Sequence, residues 1–332
     1  MSEVMIEAIN LSKHYGTVRA VDHVSFQVRK GEVLGFLGPN GAGKTTTMKI
    51  LTCFIAPSSG TAKVNGLDVF DDSIGVRRAI GYLPEHTPLY SDMMVYEYLS
   101  FVAQMRALSN EAAAKAIKRV VEQTGLGEVV GRPIRVLSRG YRQRVGLAQA
   151  MIHEPAVLIL DEPLSGLDPN QASEIRELIK EIGKERTVVL STHNLAEVQL
   201  TCERVLIIAR GKIVADDSTE DLKNRAGHAR FSVTVLTEGA DSTRQQARAI
   251  LDNVEHVSRV IAHPEHEGRT RFEVIPTGAH DLSAALFRAA VSGNIVLTEL
   301  SRQGQDLEEV FRQLTLHQEP LTNNSVTATK AA

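Results

Sequence analysis

Three stretches of this sequence predict an α/β fold. EVLGFLG (32–38) reads as a strand and runs through GPNGAGKT (38–45) into TTMKIL, where Met48, Ile50 and Leu51 recur at helical spacing. AVLILDEP (156–163) and TVVLSTH (187–193) are short apolar runs of the kind that form buried parallel strands. Between them NQASEIRELIKEIGKER has a helical pattern, so strand and helix alternate as an α/β chain requires.

The other elements follow in order. VSFQV (24–28) is a strand ahead of EVLGFLG. From about 86 to 152 the character turns mostly helical, through MVYEYLSFVAQMRAL, NEAAAKAIKRVVEQTGL and RGYRQRVGLAQAMI, and predicts an inserted helical subdomain. With 332 residues the chain is long enough for a large and a small core, and the sequence places the first domain over 1–225. Over 226–316, RFSVTVL, TRQQARAILDNV, VSRVIAH, TRFEVIP, DLSAALFRAAV and IVLTEL run strand, helix, strand, strand, helix, strand, the order of a small ferredoxin-like α+β domain. A last helix is expected over DLEEVFRQL (306–314), and 317–332 has the polar, small-residue content of a disordered tail.

Composition narrows the function classes. A formal net charge of -3 gives no global basic footprint, which argues against free nucleic acid as the main partner. The two cysteines, Cys53 and Cys202, lie far apart without CxxC spacing, and the chain opens MSEVMIEAIN with no charged-then-apolar leader. The expectation is a reducing cytoplasm and no disulfide. No apolar run approaches the roughly 20 residues of a membrane-spanning helix, so any membrane work belongs to docking on another chain.

GPNGAGKT fits G-x-x-x-x-G-K-[ST] and stands between a strand and a helix, where that pattern binds phosphate. Backbone N–H groups of Asn40 to Thr45 and the positive helix end would wrap the phosphates, Lys44 would reach the β and γ groups, and the Thr45 hydroxyl would bind Mg²⁺. The plainer reading, a Gly-rich turn, leaves the lysine and threonine without a packing reason. Asp161 and Glu162 end a buried strand as adjacent carboxylates, and burying them without a cation would cost several kcal/mol, roughly. If side chains keep alternating there, the two point differently: one holds Mg²⁺, directly or through water, and the other polarises an attacking water. The plainer reading makes them caps of the next helix.

With these motifs in this order, the sequence resembles the nucleotide-binding subunits of ABC transporters from residue 4 to about 220. Within them it is most similar to the ABC-2 exporter branch, especially the gliding-motility-type ATPases, through GYLPEHTPLY and LSRGYRQRVGLAQA. The resemblance implies a P-loop NTPase domain of the ABC type that hydrolyses ATP with Mg²⁺. It implies Tyr15 stacked on adenine and Gly38, Pro39, Asn40, Gly41, Ala42, Gly43, Lys44, Thr45 and Thr46 around the phosphates. Asp161 would bind Mg²⁺, Glu162 would be the catalytic base, His193 would contact the γ phosphate, and Asp168 would lie in a loop across a dimer.

The family's LSGGQ reads here Leu137, Ser138, Arg139, Gly140, Tyr141, and the resemblance implies that it grips the nucleotide of an opposite subunit. The Ser138 hydroxyl and the Gly140 N–H stand at a helix N-terminus, an anion site with no phosphate loop of its own. Two chains head to tail would complete each other's sites, with a membrane permease on separate chains as the further partner. That places the protein in the cytoplasm, peripheral on the inner face of the membrane. Arg139 stands for Gly, and Tyr141 for Gln. Glu85 stands where most of the family has Gln; the expectation is that it still senses Mg²⁺, as a further ligand, and links the site to the helical subdomain. The extension after 225 resembles that of ABC-2 ATPases and implies a dimer-stabilising or regulatory role.

Other signals carry less. His263 and His266 sit in HPEHEG between two strands, where a solvated hairpin loop accounts for them better than a metal site. Arg139, Arg142 and Arg144 lack the aromatic interleaving of a nucleic-acid surface. A translation factor or repair ATPase of the same superfamily would carry two cassettes or long coiled coils, and this chain has one cassette and no heptad run. A mechanochemical or regulatory ATPase that acts on a membrane partner without moving cargo stands as the alternative to transport.

Overall fold

The computed structural model describes residues 3–225, 230–238, 240–278, 280–303, 311, 312 and 315. The chain divides into two compact units, Met1–Thr219 and Glu220–Arg312. The sequence places the boundary at 225; the division falls a helical turn or two earlier. The expected last helix, 306–314, lies outside the described residues except for Phe311 and Arg312, and so does the whole of 317–332.

Unit 1 opens with β1 (Val4–Tyr15) and β2 (Val18–Arg29), then β3 (Val33–Leu37), α1 (Lys44–Leu51), β4 (Ser59–Val64), β5 (Leu67–Asp68), α2 (Ser73–Ala79) and β6 (Ile80–Leu83). The helical stretch follows as α3 (Val95–Met105), α4 (Asn110–Thr124) and α5 (Arg139–Met151). Then come β7 (Val157–Asp161), α6 (Pro169–Gly183), β8 (Thr187–Thr192), α7 (Leu195–Thr201), β9 (Arg204–Ala209) and β10 (Lys212–Ser218); α8 (Thr219–Arg225) starts at the boundary and from Glu220 onward belongs to unit 2.

Two sheets organise this unit. One is antiparallel, in the order β2-β1-β4-β5; the other has six strands in the order β10-β9-β3-β8-β7-β6. In the second, β9, β3, β8, β7 and β6 are parallel, and β10 closes the edge antiparallel. Register aligns the carboxyl ends: Leu37 sits beside Thr192, Asp161 beside Ser191, and Leu83 beside Leu160. Ligands of open α/β sheets bind at that edge. β7 and β8 are buried at every position, which explains the apolar runs VLIL and VVL within them. The core between the sheets includes Phe26 and Phe36, with ring centroids 5.6 Å apart, and Met48, Ile50 and Leu51 of α1. Burying each such side chain is worth about 1.5–3 kcal/mol. The amphipathic α4 starts where the Ser109 hydroxyl accepts the Ala112 N–H at 3.3 Å and packs against α3 and α5.

Unit 2 contains β11 (Arg230–Leu236), α9 (Asp241–Asp252), β12 (Val257–Ala262), β13 (Arg269–Pro276), α10 (Ser283–Ser292) and β14 (Leu297–Gln303). Its sheet runs β12-β13-β11-β14 with every pairing antiparallel. Counted within the unit this is the order 4-1-3-2 of a ferredoxin-like fold. Phe231, Val233, Val235, Phe272 and Val274 point from the central strands onto Ala247, Leu251 and Leu286 of the two helices. HPEHEG joins β12 to β13, where His266 and Arg269 form a backbone bridge.

Not anticipated from the sequence are β1, β4 and β5 as partners in a separate sheet, and the hairpin of β9 and β10. The run VLIIA followed by the turn ARGK is a signal that would have found the hairpin.

Candidate active site

The loop between β3 and α1 turns on Gly43, whose φ of 112° lies in the region open chiefly to glycine; a Cβ there would also run into the Ala20 carbonyl. Lys44 then folds back over the loop. Its Nζ donates to the Gly38 carbonyl at 2.7 Å and the Pro39 carbonyl at 3.3 Å, and lies 3.5 Å from Glu162 Oε1. Both side chains are buried, at 6% and 8% exposure, so this is an internal charge pair.

Asp161 closes β7 and accepts a hydrogen bond from the Ser191 hydroxyl of β8. Thr45 Oγ1 is 3.5 Å from Asp161 Oδ1, while Asp161 Oδ2 is buried with no hydrogen-bond partner. Burial pushes the Asp161 carboxyl above its usual range; the Ser191 and Thr45 hydroxyls oppose this, and the neighbouring Glu162 and Glu85 carboxylates add to it. A buried, partnerless carboxylate oxygen beside a threonine hydroxyl is a donor set that suits a hard divalent cation.

Glu162 departs from the expected strand alternation. Its φ is 50°, so a left-handed residue, and not the pleat, sets the direction its side chain takes. Its N–H donates to the Ser191 carbonyl at 3.0 Å, which fixes the turn. His193, just past β8, brings Nδ1 to 3.0 Å from both Glu162 oxygens. That contact assigns the proton to Nδ1 and leaves Nε2 for a ligand.

Tyr15, the phosphate loop, Lys44, Glu85, Glu162 and His193 line one cleft of about 640 Å³. Tyr15 is half exposed, with Lys13 Nζ 5.5 Å from its ring centroid. A second hollow of about 640 Å³ lies at the opposite, amino ends of β3 and β9, lined by Arg29, Glu32 and Arg204. Its central charge is already satisfied, since Arg204 meets Glu32 at 2.9 Å and Asp216 at 2.6 Å, whereas the first cleft gathers the residues of the phosphate-loop motif.

The remaining predicted residues stand elsewhere. Ser138 caps α5, its Oγ accepting the Tyr141 N–H at 3.3 Å. Ser138, Gly140 and Tyr141 border a separate hollow of about 300 Å³ with Gln171 and Glu174. Asp168 caps α6, its Oδ1 accepting the Gln171 N–H at 2.9 Å. Arg139 lies on a further hollow that it shares with Glu85. Sequence reasoning missed Ser191, which holds Asp161 by its hydroxyl and Glu162 by its carbonyl; a serine inside an apolar strand run was the available signal.

Comparison with known proteins places this geometry. Residues 21–165 match the family model described as ABC transporter. The chain is 33% identical over 307 residues, 92% of this chain and 98% of the relative, to the uncharacterized ABC transporter ATP-binding protein YxlF of Bacillus subtilis. The chain belongs to the ATP-binding proteins of ABC transporters. In the same family, the linearmycin resistance ATP-binding protein LnrL of Bacillus subtilis is 30% identical, with 94% of this chain and 98% of the relative covered. The bacitracin transport ATP-binding protein BcrA of Bacillus licheniformis is 37% identical over 67% of this chain and 72% of the relative. Among solved structures, cbiO1 from Clostridium perfringens, part of the ABC transporter complex cbiONQ, matches with a TM-score of 0.61 and 28% identity, covering 68% of this chain and 94% of that one. This ABC protein is therefore an ATPase with a P-loop NTPase fold. ABC ATPases use ATP with Mg²⁺, and among the described residues no helix is long and apolar enough to cross a membrane.

Proposed function

We propose that the chain is the ATP-hydrolysing subunit of an ABC-2-type exporter, in the branch of the gliding-motility-type ATPases, working as a head-to-tail homodimer on the inner face of a membrane. The observation that carries the chemistry is the buried cluster at the carboxyl edge of the sheet: Lys44 3.5 Å from Glu162, and Glu162 3.0 Å from His193. GYLPE, LSRGYRQR and the relatives named for linearmycin resistance and bacitracin transport support export. The relative from cbiONQ supports permease subunits on separate chains.

In this reading Gly38 to Thr46 bind the triphosphate through backbone N–H groups and the α1 N-terminus, and Lys44 exchanges its loop carbonyls for phosphate oxygens. Tyr15 stacks on the base. Thr45 and Asp161, with Glu85 beside them, would hold Mg²⁺, which supplies charge neutralisation on the β and γ phosphates. Glu162 accepts a proton from water as that water's oxygen bonds to the γ phosphorus, the bond to the ADP oxygen breaks, and ADP leaves with the electron pair. His193 fixes the Glu162 carboxylate through Nδ1–H and offers Nε2 to the γ phosphate. Ser138, Gly140 and Tyr141 bind the γ phosphate held by the other copy, and Asp168 lies between the copies. Unit 2 stabilises or regulates that dimer.

The test is capture. Glu162→Gln should bind ATP without turning it over, so the tagged chain is purified from native membranes in mild detergent with ATP and Mg²⁺, and its companions are identified by mass spectrometry. A polytopic membrane protein is the expected companion. An ATP-dependent homodimer alone would overturn the transporter reading.

A further inference from the structure

Arg139 is the residue at which this chain departs from the family's signature glycine, and the structure gives its side chain a location. Gly166 has φ +67°, and a Cβ built on it would overlap Cζ, Nη1 and Nη2 of Arg139 almost equally. Near-equal approach to all three atoms is possible only from above the guanidinium plane, so the group lies face-on over the Gly166 backbone. Arg139 makes no ion pair among the described residues. Its position is set by stacking, for which a planar cation is suited and a lysine is not.

The loop it covers matters. Ser165 N–H donates to the Glu162 carbonyl at 3.1 Å and Leu167 N–H to the Leu164 carbonyl at 3.3 Å, so consecutive turns lead from Glu162 through Gly166 to Asp168, the cap of α6. Glu162 already has a left-handed φ, which its hydrogen bond to the Ser191 carbonyl and the turns of this loop must hold. A flat cation pressed on the middle of this loop limits how far the Glu162 end can relax. Arg139 and Glu85 also border one hollow of about 360 Å³, and Glu85 is the residue this hollow shares with the nucleotide cleft. The signature helix, the Glu162 loop and the cleft wall therefore meet at Arg139 on a single chain.

We propose that Arg139 is a positioning residue for hydrolysis on its own chain: through Gly166 it holds the Glu162–Asp168 loop, and it does not bind the nucleotide of the opposite subunit. The inference rests on the reading of Glu162 as the catalytic base.

The experiment measures ATPase kinetics of full-length Arg139→Gly, Arg139→Lys and Gly166→Ala, and the ATP-dependent dimerisation of each in the Glu162→Gln background by light scattering. All three are expected to lower kcat about tenfold, leave KM for ATP within twofold, and dimerise at the ATP concentration that Glu162→Gln requires. Gly166→Ala keeps the arginine in the sequence and its charge, but puts a Cβ where the guanidinium lies and so displaces the stack. Recovery of kcat in Arg139→Lys, or loss of dimerisation and a raised KM in Arg139→Gly, would overturn the proposal in favour of a charge on the partner's phosphate. An unchanged kcat in Arg139→Gly and Gly166→Ala would overturn it outright. If Arg139→Gly fails to fold by circular dichroism, Arg139→Lys and Gly166→Ala are read by the same criteria. A Glu162→Gln chain that alone keeps the wild-type rate would sink the reading of Glu162, and the Arg139 series would still be judged on its own rates.

Discussion

The two units bury polar groups of different kinds. Among the described residues, unit 2 buries only hydroxyls: Ser232, Thr237 and Thr270. These are paired, Thr237 with Thr270 at 3.2 Å and Ser232 with Arg271 at 2.9 Å. Unit 1 buries charge: Asp22, Lys44, Asp161 and Glu162. Asp22 is met by His23 at 2.7 Å and Lys212 at 3.5 Å, whereas among the described residues the carboxyl edge of the sheet holds three buried charged side chains, with Asp161 Oδ2 left without a hydrogen-bond partner. Neutral, satisfied polar groups serve packing; a surplus of buried carboxylate is stability given up to a site that a ligand completes.

The contrast is most exposed at Asp161. Asp161→Asn keeps an acceptor for the Ser191 hydroxyl but removes a charge whose burial, uncompensated, costs several kcal/mol, roughly. The new amide N–H is left unpaired, a smaller penalty of about 1–3 kcal/mol. The nucleotide-free variant should therefore melt a few degrees above wild type while ATP hydrolysis falls about 100-fold or more. Calorimetry and phosphate release check both; a lower melting temperature would mean that Asp161 is already compensated in the free protein. Next in size is Phe272→Ala in unit 2, which empties the centre of that core and should cost about 3–5 kcal/mol. Its unfolding should move to lower denaturant with hydrolysis kept within twofold. A matching loss of hydrolysis would show that the neutral core also supports the site.

How much of this was legible in the sequence depended on distance along the chain. The loop from Gly38 to Thr46 is contiguous, so its spacing is readable, as are the apolar strand runs that end in Asp161 and in His193. The order of elements in 230–303 is likewise local. Pairing is not: the antiparallel sheet joins Ile6 to Val64, and no local pattern encodes that partner. Glu162 was expected to follow the pleat, but the strand ends one residue sooner and a backbone turn takes over. Arg139 reads as a substitution in a motif, while its contact with Gly166 exists only after α5 and the loop before α6 have been folded together.

The smallest effect concerns a buried ionisable group away from the cleft. His153 lies just after α5, and its Nε2 donates to the Ile80 carbonyl at 3.0 Å, which leaves Nδ1 buried and unpaired. Burial, with the Arg106 charge adding to it, lowers its pKa from the ordinary 6.5 to about 4. Here the fold keeps the group neutral instead of holding a charge for a ligand. The folded pKa lies below the unfolded one, so as pH falls below 6.5 the unfolded chain takes up the proton first. The contribution is whole above 6.5 and is lost progressively as pH falls to about 4. His153→Gln retains a donor for the Ile80 carbonyl and cannot titrate. Between pH 6.5 and 4, wild type should lose about 2–3 kcal/mol of unfolding free energy relative to the variant. Denaturant titrations of both chains across that window check this, and parallel curves would mean that His153 is as easily protonated in the fold as outside it. Such a result would also weaken the contrast drawn above, because unit 1 would then tolerate a buried cation where no ligand is bound.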